Sequence, residues 1–244
     1  MYKNKTREII LDYYKNYGLQ AVIEFANKLL ELPNFKSDMQ FRNEVHGETC
    51  EAILECCIIN FIKRNNLQKK WFYTKGLVLK DIKNPGRFLT EIDFVLFTPY
   101  QVIPIECKSY AGAKIITDRC TINRKDKQPY DVYAQHKLHS DILIENISAF
   151  RLKSLESFHV NPFQLAMFDF SRGGLRDNRD VLYKREMPIL NIQNINTFLR
   201  RFLNKPATWH MDSLRRFVKI VNTHKEENTK LHLDYVKSLH GGNK

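Results

Sequence analysis

The stretch from Thr90 to Lys108, TEIDFVLFTPYQVIPIECK, constrains the chain more than any other. Two runs rich in β-branched and aromatic residues flank Thr98-Pro99-Tyr100-Gln101, and such runs around a proline-bearing turn read as a β-hairpin. Proline at the second turn position suits a type I turn or a four-residue loop, and either sets Phe97 opposite Val102. Carried outward, that register sets Asp93 opposite Glu106 and Glu91 opposite Lys108. Side chains alternate along a strand, so these four share one face. The other face, with Ile92, Phe94, Leu96, Ile103, Ile105 and Cys107, is apolar without a break and is expected to be core.

A hairpin with charges on one face has two readings. In the first, the charges are a solvated ladder, since Glu91 faces Lys108 and opposite charges across a strand pair attract. That leaves Asp93 facing Glu106, and like charges across a pair repel unless a cation sits between them. In the second reading the two carboxylates grip a divalent metal, with Lys108 beside them. The hairpin alone leaves both open.

Asp93, twelve intervening residues and Glu106-Cys107-Lys108 resemble the D…(D/E)xK signature of the PD-(D/E)xK nuclease superfamily. The finer wording is similar to the nuclease-related domain (NERD) family. Thr90 to Leu96, then Pro99-Tyr100, then Ile105 to Gly112 follow that family's IDHVVV…P.G.fvIE.K...G run. Phe94 stands where histidine is common, Gln101 where glycine is common, and Cys107 lies between the acid and the lysine, so each catalytic group is retained. His46-Gly47-Glu48-Thr49-Cys50-Glu51 is similar to the family's Gly-Glu helix start, whose glutamate is the outer acid of the metal site. The resemblance gives that role to Glu48 first and Glu51 second. Asp131 to Lys137 resembles the NP..Q...H helix after the catalytic hairpin, with Gln135 as the matching glutamine and Asp131-Val132 in place of asparagine-proline. There a neutral amide orients water or phosphate without competing for metal. The resemblance spans roughly Val45 to Phe170 and implies a restriction-endonuclease-like α/β core, a mixed central sheet flanked by helices.

At 244 residues the chain suits one domain with appendages and is long enough to bury a sizeable core. Lysine and arginine total 39 against 27 acids, a formal charge of +12, which points to an anionic partner, most simply nucleic acid. No apolar run is long enough to span a bilayer, and the first residues lack a signal peptide's apolar segment. Five cysteines, an odd number without paired zinc spacing, suit a reduced intracellular compartment, so a cytoplasmic location is expected.

Residues 3–31 read as helix broken at Gly18 and ended at Pro33, either a helical cap or a helix-turn-helix. A second helix runs from near Asp38 or Glu44 to about Arg64. It buries Ile53, Leu54, Ile58 and Phe61, with Cys50, Cys56 and Cys57 as packing residues and Glu55 expected on a solvated stripe. Trp71–Leu79 reads as the first strand, Asn84-Pro85-Gly86 as a turn, and Lys114–Thr117 and Cys120–Ile122 as weak strands. Asn123 to Lys127 is expected to be a basic loop, either solvated surface or, beside the proposed metal, a stretch in which Arg124, Lys125 and Lys127 track a phosphate backbone. Tyr130–Phe150 reads as an amphipathic helix, on which His136 and His139 are given no role. Pro162–Phe170 reads as a strand, and Val181–Tyr183 and Pro188–Ile192 as two more. Asn194 and Asp212 are expected to cap the last helices, and Gly241–Lys244 to be a frayed tail.

Three parts are therefore expected: a helical extension over 1–40, a nuclease core over 41–175, and strands and helices over 176–244 packed on the core. Oxygen-only ligation by Asp93 and Glu106, with Glu48 through a water, suits Mg²⁺ or Mn²⁺ rather than zinc. The expected activity is metal-dependent hydrolysis of phosphodiester bonds, with DNA the expected substrate rather than RNA. Asp93, Glu106, Lys108, Gln135 and Glu48 would be the catalytic set. A non-catalytic nucleic-acid-binding module of the same fold and a helix-turn-helix regulator are the alternatives.

Overall fold

A computed structural model describes residues 5–31, 39–83, 90–109, 114–118, 120–124, 127–154, 163–171, 175–223 and 228–231, with backbone only at 39–43, 90, 123–124, 127–129 and 154. The expected turn at Asn84-Pro85-Gly86, the helix stop at Pro33, Lys125, the side chains of Arg124 and Lys127, and the tail Gly241–Lys244 lie outside the described residues.

The chain divides into two compact units, each built from three segments. One comprises Met1–Gln68, Cys107–Val132 and Ala166–Leu203, the other Lys69–Glu106, Tyr133–Leu165 and Asn204–Lys244.

In the second unit, β1 (Phe72–Leu79), β2 (Thr90–Phe97) and the start of β3 (Val102–Lys108) form antiparallel ladders. The β2–β3 register runs Phe97↔Val102, Leu96↔Ile103, Val95↔Pro104 and Phe94↔Ile105, as the turn chemistry requires. The four-residue loop is closed on itself: Thr98 Oγ1 donates to Gln101 O at 2.8 Å and accepts from Gln101 N at 2.9 Å. Thr208 N and Trp209 N both donate to Pro99 O, at 2.8 and 3.1 Å. Both faces of the turn-proximal half are buried, not one: Phe94 and Leu96 on one side, Val95, Phe97 and Val102 on the other. The reason is that α3 (Val132–Ser154) and α6 (Met211–Thr223) supply Ile142, Leu143, Ile147, Leu214 and Phe217 to the core that holds Val95 and Phe97. Such burial of apolar surface is worth about 25 cal/mol per Å².

In the first unit, α1 (Thr6–Glu31) packs on α2 (Met39–Arg64) through Ile10, Tyr14, Val22 and Ala26. Gly18, at φ 81° and ψ −178°, joins two helical halves of α1. One residue makes that joint, where a helix-turn-helix uses a turn of about three or four. Helix α2 packs on β7 (Ala166–Asp169) and α5 (Ile195–Arg200), and β7 pairs in parallel with β9 (Ile189–Leu190). The end of β3 belongs to this unit, and Lys108 O accepts from Phe170 N at 3.0 Å. The larger sheet thus has the order β1-β2-β3-β7-β9, antiparallel at one edge and parallel at the other, which makes it mixed. A four-stranded sheet of order β6-β5-β4-β8 comprises β4 (Lys114–Ile116), β5 (Thr121–Arg124), β6 (Lys127–Asp131) and β8 (Leu175–Asp177).

Several expectations are corrected. The basic loop is the end of a hairpin, with Arg124 paired to Lys127, and Tyr130 sits in β6 rather than in α3. Val181–Tyr183 is helix, the start of α4 (Val181–Glu186). Its apolar residues mislead because Val181 and Leu182 are 82% and 52% exposed and face no core. Asn194 precedes α5 but makes no side-chain cap; its Oδ1 accepts from Asn191 N at 2.8 Å instead. Asp212 lies inside the first turn of α6, and its carboxylate accepts from Arg215 at 3.0 Å. Glu55 is 4% exposed, not solvated, because Arg7 of α1 reaches across and pairs with it. No helix among the described residues is long and apolar enough to cross a membrane.

Candidate active site

Asp93 and Glu106 both belong to the second unit. They flank Phe94↔Ile105, the outermost pair of the β2–β3 ladder, Asp93 on β2 and Glu106 on β3. Asp93 is half-buried and Glu106 is 3% exposed. A carboxylate so buried costs free energy unless neighbouring groups compensate it. On the other side of β2, the β1 ladder runs Lys75↔Phe94 and Leu77↔Ile92, so Gly76 lies across from Asp93. Gly76 has φ +50°, and a Cβ there would meet Glu91 Oε1 at 3.3 Å. A glycine inside a strand marks a close approach, and here it leaves room on the face that carries Glu91 and Asp93.

Helix α3 brings two histidines to Glu106. His136 Nδ1 and His139 Nδ1 each lie 4.0 Å from Glu106 Oε2. His136 is fully buried, and its Nε2–H donates to Pro104 O at 3.2 Å, two residues before Glu106 on the same strand. That bond fixes the ring so that Nδ1 faces the carboxylate. At 4.0 Å neither imidazole makes a hydrogen bond to Glu106; they bound the space beside it. Gln135 precedes His136 and lies one turn before His139 on the same helix face. Its Oε1 is buried and has no hydrogen-bond partner among the described residues.

Lys108 and Glu48 belong to the first unit. The Lys108 ammonium lies 5.4 Å from the centre of the Tyr130 ring, a cation–π contact that steadies a long side chain. The end of β3 is tied to α2 by Cys50 Sγ, which donates to Lys108 O at 3.4 Å, and by His46 Nδ1 and Ser109 Oγ at 3.4 Å. Glu48 stands two residues from both His46 and Cys50, on the opposite side of the helix. It faces α1, where Arg7 N donates to Glu48 Oε2 at 3.4 Å. The carboxylate thereby meets an unsatisfied N–H at the positive end of α1. Burial pushes the Glu48 carboxyl above its ordinary range, opposed by the Arg7 hydrogen bond and charge. Glu51 lies 3.9 Å from the same guanidinium.

The second unit therefore brings Glu106 and the Gln135 helix together, with Asp93 on the neighbouring strand, and the first unit holds Lys108 and turns Glu48 to Arg7. His136, His139 and Gly76 are the residues that sequence reasoning passed over. The three-residue spacing of the histidines on one helix face, and a glycine inside a strand pattern, were the signals available. Among the described residues no group of three or more His, Cys, Asp and Glu is arranged to hold a metal ion. Two carboxylates, waters and substrate phosphate oxygens are the ligand set magnesium takes; a closed cage of side chains is the zinc pattern. The donor chemistry of Asp93 and Glu106 fits the former.

The model of the nuclease-related domain (NERD) family matches residues 55–164. Asp93, Glu106, Lys108 and Gln135 fall inside the matched stretch, and Glu48 precedes it. No curated protein and no solved structure matches the chain.

Proposed function

We propose that the nuclease-related domain of this chain hydrolyses phosphodiester bonds of DNA with the help of Mg²⁺ or Mn²⁺. The observation that carries the proposal is the β2–β3 ladder: its outermost pair, Phe94↔Ile105, is followed by a carboxylate on each strand, Asp93 and Glu106, with Gly76 of β1 beside Asp93. Such a pair repels when both members are ionised, and a cation relieves the repulsion.

Asp93 and Glu106 would hold the ion. When bound, it supplies charge neutralisation on the phosphate and lowers the pKa of a bound water. Lys108 follows Glu106 by two residues on β3, and its fixed ammonium stabilises negative charge building on the phosphate. Gln135 presents a neutral amide that orients water or a phosphate oxygen. Glu48, turned to Arg7 of α1, is given no part in holding the ion. The +12 charge supplies the non-specific attraction for a polyanion.

The test is cleavage of linear, circular and single-stranded DNA and of RNA by the whole chain, with Mg²⁺, Mn²⁺ or chelator. Cleavage is expected with metal and not with chelator. Glu106→Gln is expected to abolish it while the variant still binds DNA. A variant that cuts as fast as the parent would show the metal site to be misassigned.

A further inference from the structure

At the carboxyl ends of the parallel strands β7 and β9 the first unit carries a half-open cavity of about 540 Å³. Crevices at the carboxyl ends of parallel strands are where open α/β sheets bind ligands, and this volume lies in the range of small-molecule sites. Its lining mixes Asp169, Asn191, Gln193 and Asn27 with the apolar surfaces of Phe170 and Ile192. The cavity adjoins the strand end that bears Lys108, because Phe170 N donates to Lys108 O at 3.0 Å.

Two of its polar groups have one half engaged and the other half open. Asp169 Oδ1 accepts from Ser171 N at 3.2 Å and from the Ser171 hydroxyl, while Oδ2 has no hydrogen-bond partner among the described residues. Asn191 Oδ1 accepts from Gln193 N at 2.9 Å and Asn194 N at 3.1 Å, which leaves its Nδ2 donor uncommitted among the described residues. Burial pushes the Asp169 carboxyl above its ordinary range, against the pull of the Ser171 bonds. A half-satisfied carboxylate in such a place favours an N–H donor ligand.

We propose that this cavity takes an unpaired nucleobase carrying an exocyclic amine, with Asp169 Oδ2 accepting from the amine, Asn191 Nδ2 donating to a ring nitrogen or carbonyl, and Phe170 and Ile192 packing on the ring. Carboxylates accept from base amines, and amides supply the complementary donor. Uracil and thymine fit less well, since their one ring N–H is flanked by two carbonyls that a carboxylate repels. A phosphate is disfavoured by the same charge. The inference rests on the nuclease reading in one respect: the base would belong to the strand whose backbone Lys108 meets.

The experiment measures binding of adenosine, cytidine, guanosine and uridine to the whole chain by saturation-transfer NMR, without metal and without phosphate. The amino-bearing nucleosides are expected to bind more tightly than uridine. Asp169→Asn, which keeps an acceptor for Ser171, is expected to weaken them about tenfold. Gln193→Ala, on an exposed loop, is a second variant expected to fold and to weaken binding. Uridine binding as tightly as the others, binding indifferent to Asp169→Asn, or putrescine binding where no nucleoside binds would each overturn the proposal. A chain that binds nucleosides but never cleaves would defeat the nuclease reading alone; one that cleaves but binds no nucleoside would defeat the pocket alone.

Discussion

His136 shows how a single buried side chain ties helix to strand. Its Nε2–H is committed to Pro104 O, and its Nδ1 is held 4.0 Å from Glu106. Removing groups of this kind around a metal ligand typically costs about 10- to 100-fold in affinity. If Glu106 holds the proposed ion, His136→Phe is expected to weaken Mn²⁺ binding about tenfold, measured by titration calorimetry, with the fold checked by circular dichroism. Unchanged affinity would mean that Glu106 needs no imidazole to hold its orientation. A second residue-scale case is Arg179, 2% exposed, which donates to Asp177 Oδ1 at 2.8 Å, to Asp177 Oδ2 at 2.9 Å and to Met187 O at 2.7 Å. Burial works to raise the Asp177 carboxyl, but the Arg179 hydrogen bonds and charge outweigh it and hold the group below its ordinary value. A depressed carboxyl contributes stability that is fully present above the unfolded value, about pH 4, and is lost as pH falls through the folded value. Asp177→Asn should flatten that part of the acid limb in urea unfolding between pH 2 and 7. Arg179→Met, which leaves the carboxylate and Met187 O without their donor, should cost about 2 kcal/mol at pH 7.

At the scale of elements, two glycines do what no other residue does cheaply. Gly18 holds φ 81° and ψ −178°, a region essentially closed to side chains, and so sets the angle between the halves of α1. A Cβ there meets nothing within 4 Å, so the penalty of Gly18→Ala is conformational, about 1–3 kcal/mol in thermal or urea unfolding. A loss under 0.5 kcal/mol would mean that the helix halves re-angle freely. Gly76 combines φ +50° with a Cβ position 3.3 Å from Glu91 Oε1, so Gly76→Ala crowds the carboxylate face as well as straining β1. It is expected to lose stability by about 1 kcal/mol and to weaken Mn²⁺ binding alongside.

For the whole molecule, charge would govern the proposed encounter with nucleic acid. With 39 basic residues against 27 acidic ones, affinity should fall steeply with salt. If Arg124, Lys125 and Lys127 each meet a phosphate, neutralising all three lowers the slope of log affinity against log salt by up to about 3 for duplex DNA. Filter binding at several salt concentrations reads this directly. An unchanged slope would move the interface elsewhere, with Arg200, Arg201 and Lys219 as exposed alternatives.

The hairpin was legible because its information is local. Proline and threonine at the turn set the register, and a period of two then ordered every side chain from Phe97 back to Phe94. The bounds of α2 followed from apolar spacing for the same reason, whereas α3 begins at Val132 and ends at Ser154, not at Tyr130 and Phe150, because β6 takes the residues before it. Short segments were not legible: Val181 and Leu182 look like strand residues, and only their exposure shows that nothing waits to bury them. Glu48 was read as an outer acid from its place after a glycine; the tertiary structure turned it to Arg7, because helical geometry sets it on the side away from Cys50 and Lys108. His136, His139 and Glu106 lie about thirty residues apart in the chain, and Arg7 and Glu55 further still. The sequence by itself determined which residue types share a strand face and in what register, since that depends on neighbours along the chain. Which charges meet across elements was decided only when α1 packed on α2 in one unit and α3 met β3 in the other, since burial selects the partners that offset desolvation.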